Sequence, residues 1–98
     1  MPPIQKEGQD FLENNDGKLS LKLILSYLIK EDYYKLDNEK VKDIINKISN
    51  MHNIKKAILL KSLRVAFFGS LSGPDLVQSW ELLSESKSDI SRIERCLR

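Results

Sequence analysis

Apolar residues recur along most of this chain at three- and four-residue steps, the period of a helix with one face against a core. Between Leu19 and Lys30, Leu21, Ile24, Leu25 and Leu28 keep that spacing, and Leu19 and Leu23 widen the stripe. Asp37 is placed as an N-cap, where its carboxylate can take a backbone N–H of the following turn. Val41, Ile44, Ile45 and Ile48 then form one face, and Asn50 to Asn53 make a polar ending. From about Lys55 to Phe68, Leu59, Leu63, Ala66 and Phe67 share a face, with Gly69 positioned as a left-handed cap. After the loop Ser70–Gly73, Pro74 suits the first turn of a further helix, and Asp75 is favourable beside its positive end. Leu76, Trp80 and Leu83 form the buried stripe of that helix. A last short helix from Ser88 aligns Ile90, Ile93 and Leu97.

The first segment, Pro3 to Asn14, predicts a weaker helix. Pro2 and Pro3 suit its entrance, but Gly8 interrupts it and its apolar residues are only Ile4, Phe11 and Leu12. Asn14-Asn15-Asp16-Gly17 reads as a turn, and Tyr33 and Tyr34 fall in a connecting loop. No strand, repeat or low-complexity tract is recognisable. The expected fold is therefore all-α, a small orthogonal bundle of five to six helices. Residues 1–16 are expected to be a truncated linker or a helix from a preceding domain, and residues 17–98 the helical domain itself.

Charge refines this picture. The formal net charge is only +2, but residues 1–53 carry eight Lys against nine acids, and residues 54–98 carry eight Lys or Arg against five. No acid occurs from Ile44 through Pro74, a window holding Lys47, Lys55, Lys56, Lys61, Arg64 and His52. Such a stretch is a candidate polyanion footprint, or else a solvated face whose acids lie elsewhere in space. No apolar run approaches the ~20 residues that cross a bilayer. The first residues lack an apolar signal core, and a single cysteine permits no internal disulfide. A cytoplasmic setting without membrane attachment is expected.

Catalytic chemistry finds little to stand on. His52 is the only histidine and lies in a polar turn, no Gly-x-Ser-x-Gly elbow occurs, and four separated glycines form neither a phosphate loop nor a dinucleotide fingerprint. One Cys and one His cannot supply a structural zinc site. Cys96 lies near a helix C-terminus, the wrong end to stabilise a thiolate, so packing is its expected role. Phe67, Phe68 and Trp80 sit at helical spacing beside aliphatic residues, as core aromatics do. The corner Ser62–Leu76 is more suggestive. Arg64 stands about one turn before a loop, and the entering helix brings backbone N–H groups that suit an anion or a base edge. Pro74, Leu76 and Val77 offer small apolar surfaces for an unstacked base, which an Arg guanidinium can bond or stack upon. The same pattern also fits a plain corner of a helical bundle with Arg64 on its surface.

The run Lys61-Ser62-Leu63-Arg64-Val65-Ala66, then Gly69, then Gly73-Pro74-Asp75-Leu76, resembles the last domain of bacterial glutamate–tRNA ligases. Gly73 through Trp80 is similar to cyanobacterial and plastid-like members, and the looser likeness runs from about Asn14 to Arg98. The resemblance implies an α-helical anticodon-binding domain of a class I aminoacyl-tRNA synthetase. Its partner would be the anticodon loop of a glutamate-accepting tRNA. It further implies that Arg64 contacts an anticodon base and that Pro74, Leu76 and Val77 line the base pocket; Lys55, Lys56 and Lys61 are added on charge. Two departures stand out: Phe67-Phe68 replace the usual Leu-Thr before Gly69, and Leu83-Ser84-Glu85-Ser86-Lys87 replaces a Leu-Gly-Lys-Glu-Arg stretch. The parent enzyme would use ATP and magnesium in an N-terminal domain. None of that domain's signatures occurs here, so this chain is expected to have no catalytic residue, cofactor, metal or small-molecule substrate of its own. The rival expectation is a protein-interaction module that reuses the helical fold and binds an acidic partner through the basic stretch.

Overall fold

A computed structural model describes residues 3–31 and 36–98. It arranges them in six α-helices: α1 (Lys6–Asn14), α2 (Gly17–Glu31), α3 (Asn38–His52), α4 (Lys56–Phe68), α5 (Leu76–Glu85) and α6 (Ser88–Leu97). No strand occurs among the described residues, and the all-α expectation is borne out. Pro2, Tyr33 and Tyr34 lie outside the described residues.

The architecture is organised around α4, which packs against each of the other five helices. One apolar face would not suffice for that position, and α4 has more than one. Leu59, Leu63, Ala66 and Phe67 are buried as their spacing requires, and so are Ser62 and Val65 beside them. The Ser62 hydroxyl escapes an unpaired burial by donating to the Ile58 carbonyl at 2.7 Å. Leu21, Ile24 and Leu28 of α2, the four predicted residues of α3, and Ile93 and Cys96 of α6 complete the core. Leu25 is only partly buried and Leu19 is exposed, so the α2 stripe is narrower than its sequence suggests.

Local signals set most boundaries. The Asp37 carboxylate accepts from the Lys40 N–H at 2.8 Å, and Gly69 ends α4 in the left-handed region. Asn53 caps α3 in the same region, one residue beyond the histidine expected in a turn. Three expectations need correction. The first helix starts at Lys6, not Pro3, because Gln5 is extended and its N–H bonds the Gly69 carbonyl at 2.7 Å. Gly8 is no simple weakness, since a Cβ there would stand 3.0 Å from the Val65 side chain and hold α1 away from α4. Pro74 lies outside α5: Asp75 is the N-cap and its carboxylate accepts from the Gln78 N–H at 3.0 Å.

The α5–α6 hairpin closes over a buried polar pair. Trp80 Nε1 donates to Asp89 Oδ2 at 3.1 Å, and Asp89 Oδ1 accepts from the Ile90 N–H at 2.9 Å. Ser84, within the departing stretch 83–87, accepts from the Leu36 N–H at 3.0 Å and so fixes the entry to α3. Because Asp89 is 3% exposed, loss of its indole partner leaves a carboxylate oxygen without compensation. Trp80→Phe is therefore expected to cost at least about 1–3 kcal/mol, a fall in melting temperature of at least roughly 4–8 °C. An unchanged melting curve would show that the pair contributes nothing.

Candidate nucleic-acid interface

The corner between α4 and α5 is built from Gly69 outward. With φ 77° and ψ 4°, its N–H bonds the Val65 carbonyl at 2.9 Å and closes the helix. A Cβ at this position would fall 2.1 Å from the Pro3 carbonyl oxygen, so the N-terminal segment can cross here only over a glycine. From the other side, Arg92 of α6 donates to the Phe67 carbonyl at 2.5 Å, one of the acceptors that a helix end leaves open. Within the loop, Ser70 Oγ donates to the Ser72 carbonyl at 2.6 Å and accepts the Ser72 N–H at 3.2 Å. The Phe68 ring covers Gly73.

Arg64 ties the two limbs of the corner together. Its Nη1 donates to the Pro74 carbonyl at 3.0 Å and, more weakly, to the Gly73 carbonyl at 3.4 Å. Among the described residues no acceptor reaches its Nε or Nη2. Pro74 beside it is exposed and Val77 half-buried. Leu76, by contrast, is 4% exposed and supports the corner from within the core.

The basic residues separate in space. Lys56, Leu60 and Arg64 follow one another at four-residue steps along one side of α4. Lys55 is exposed just before the helix. Lys61 lies elsewhere, its Nζ 5.9 Å from the centroid of the Phe11 ring on α1. Lys47, though inside the acid-free window, is paired with Asp43 one turn earlier at 3.1 Å. Asp43, and then the Tyr27 hydroxyl, hold its ammonium above the usual lysine range. The start of α5 is less open to an anion than the corner pattern suggests. Asp75 occupies the Gln78 N–H and sets a negative charge at that helix end. The corner is therefore equipped with a guanidinium and apolar surfaces.

Sequence reasoning gave α3 no place beside this corner, yet α3 borders a groove with α4 and α5. Lys42 and Asn46 lie one position after the buried Val41 and Ile45, and they turn toward α4 and α5. With Lys56, Ile45, Leu60 and Val77 they line an open, largely apolar groove of about 310 Å³. The α3 face one step past its apolar stripe carried the only available signal.

The aromatics behave mainly as core. Phe67 and Trp80 are fully buried with ring centroids 5.8 Å apart, while Phe68 is partly buried and edge-on to Phe67 at 6.5 Å. Cys96 is buried, and burial pushes its thiol above the usual range, consistent with packing. Among the described residues no three metal-ligating side chains cluster, and no helix is long and apolar enough to cross a membrane.

A family model described as "Anticodon binding domain" matches residues 4–97. The chain is 76% identical over all of its 98 residues to the glutamate–tRNA ligase of Prochlorococcus marinus strain MIT 9312. It is 72% identical over 97 residues to that of strain AS9601, and 40% identical over 94 residues to that of strain NATL2A. It spans 20% of the length of each of these relatives.

If the corner depends on Gly69, Gly69→Ala must either abandon the left-handed conformation or displace Pro3. The backbone strain alone is about 1–2 kcal/mol, and the overlap with the Pro3 oxygen adds to it. The urea midpoint of Gly69→Ala is therefore expected to fall by more than that strain accounts for. A midpoint equal to wild type would contradict the close approach.

Proposed function

The chain belongs to the anticodon binding domain family, and from that membership we propose that it grips the anticodon loop of a glutamate-accepting tRNA and itself catalyses no reaction. The observation that carries this reading is the Arg64 corner. A guanidinium is held by one nitrogen to the Pro74 and Gly73 carbonyls, beside the exposed Pro74 and the half-buried Val77. In this reading Arg64 donates its remaining N–H groups to the edge of a splayed base, and Pro74 and Val77 offer that base an apolar face. Leu76 sets the depth of the pocket from below. Lys55 and Lys56 draw in the phosphates of the loop, while Lys61, over the Phe11 ring on α1, contributes only longer-range attraction.

The similarity to glutamate–tRNA ligases supports the choice of tRNA and of amino acid. The whole protein would then charge glutamate with ATP and magnesium in the cytoplasm, through portions of those relatives that this chain does not span. Here the chain supplies binding energy and orientation and no reacting group.

Two measurements test the reading. Glutamate tRNA is expected to bind more tightly than an unrelated tRNA, and neutralising about four phosphates would make binding roughly 50-fold weaker between about 50 and 200 mM salt. Equal affinities for the two tRNAs would contradict anticodon reading. Arg64→Ala is expected to weaken glutamate tRNA about tenfold or more and to narrow the gap to the unrelated tRNA. An unchanged gap would remove Arg64 from base recognition.

A further inference from the structure

Along the chain, the two limbs of the Arg64 corner are joined only by residues 69–75, between the end of α4 and the start of α5. A connection of that length does not by itself fix how far Arg64 stands from the first turn of α5. The bond from Arg64 Nη1 to the Pro74 carbonyl closes one side of the corner, but it is exposed. A second, less exposed closure comes from α6. Arg92 is half-buried and donates to the Phe67 carbonyl at 2.5 Å, one turn beyond Arg64 on α4. The left-handed turn at Gly69 takes away the N–H that a continuing helix would supply to that carbonyl. A cation at a helix C-terminus also meets the negative end of its dipole, and a charged donor makes the stronger kind of hydrogen bond.

The contact belongs to a closed circuit. One turn before Arg92 on α6, Asp89 takes the indole N–H of Trp80 on α5 at 3.1 Å. The Trp80 ring in turn packs against the ring of Phe67, with centroids 5.8 Å apart. From the end of α4 the circuit runs through Arg92 to Asp89, through Trp80 to α5, and back to α4 by the Pro74–Arg64 bond. Burial of Ile93 and Cys96 holds α6 on the core, but apolar contact has no direction. Arg92 supplies the directed bond, and so fixes the rotation of the last turn of α4.

We propose that Arg92 is a positioning residue for RNA reading: by holding the Phe67 carbonyl from α6, it sets the reach of the Arg64 guanidinium across the corner. The proposal rests on the reading of that corner as the RNA-binding surface and adds to it a residue that touches no base. Recognition by hydrogen bonds tolerates displacements of only about 0.5 Å. Without Arg92 the last turn of α4 loses its tie to the α5–α6 hairpin, and Arg64 loses its register with Pro74 and Val77.

The test measures the affinity ratio of glutamate tRNA to an unrelated tRNA, in the chain and in its Arg64 and Arg92 variants, at several salt concentrations. Arg92→Ala is expected to shrink that ratio about threefold or more and to leave the salt slope unchanged. In the Arg64→Ala background, Arg92→Ala is expected to shrink it no further. Arg92→Lys keeps the charge and can donate to the same carbonyl, so its ratio is expected to fall between wild type and Arg92→Ala. If Arg92→Ala fails to fold, Arg92→Lys carries the test: a smaller loss, present only with Arg64, is expected. A salt slope lower by about one, with equal loss for both tRNAs, would make Arg92 a phosphate contact and overturn the proposal. Equal shrinkage with and without Arg64 would overturn it as well. If Arg64→Ala removes the preference and the Arg92 variants keep it whole, only the positioning role falls. If the unmodified chain shows no preference between the tRNAs, the anticodon reading falls and the role of Arg92 falls with it.

Discussion

At Gly69 two stretches of backbone approach more closely than any side chain would allow. The Pro3 carbonyl occupies the place of a Cβ, and the Gln5 N–H reaches the Gly69 carbonyl at 2.7 Å. The rest of the corner follows from that meeting. With α4 ended there in the left-handed region, the chain can turn through Ser70–Gly73 and present Pro74 beside Arg64. Arg92 secures the same helix end from α6, and Arg64 closes the loop from α4. A guanidinium already held by one nitrogen loses less freedom when a ligand arrives, so more of its contact energy remains for recognition. The N-terminal segment, α4, α5 and α6 thus all contribute to holding one small corner of the surface in place.

Charge is selected by the same geometry. Two of the features that make the segment look attractive to an anion are used internally: Asp43 pairs with Lys47, and Asp75 caps the start of α5. Lys61 faces Phe11. What remains beside the corner is a smaller and better-ordered set, Arg64 and Lys56 on α4 with Lys42 on α3, around apolar patches at Leu60 and Val77. Such a surface favours a ligand with both a charged backbone and flat apolar faces over a simple anion.

The features readable from sequence are those determined within a turn or two of chain. The Asp37 cap, the left-handed Gly69, the α3 face Val41–Ile48 and the α4 face Leu59–Phe67 all follow from local spacing and from the backbone preferences of single residues. The features that were not readable depend on partners distant in the chain. Gly8 looks like a helix defect until Val65 is placed against it. Leu76 looks like pocket lining until α5 is docked and the residue is buried beneath the corner. Ser84 looks like a departure without consequence until Leu36 is found bonded to it, 48 residues away. Asn46 has no pattern of its own, because an exposed amide on a polar helix face carries no signal before the groove assembles beside it. The juxtaposition of Arg64 and Pro74 was therefore legible, since the motif places them within ten residues and the structure bonds them, whereas the groove bordered by α3 was not.

The central claim is that the Arg64 corner is the surface that meets RNA. Amide resonances followed by NMR, as the anticodon stem-loop is titrated into the isotope-labelled chain, test it most directly. The account predicts that the largest perturbations fall on Arg64 and residues 73–77, with α2 and the outer face of α6 unmoved. Perturbations concentrated on α2 or α6, with the corner silent, would contradict it.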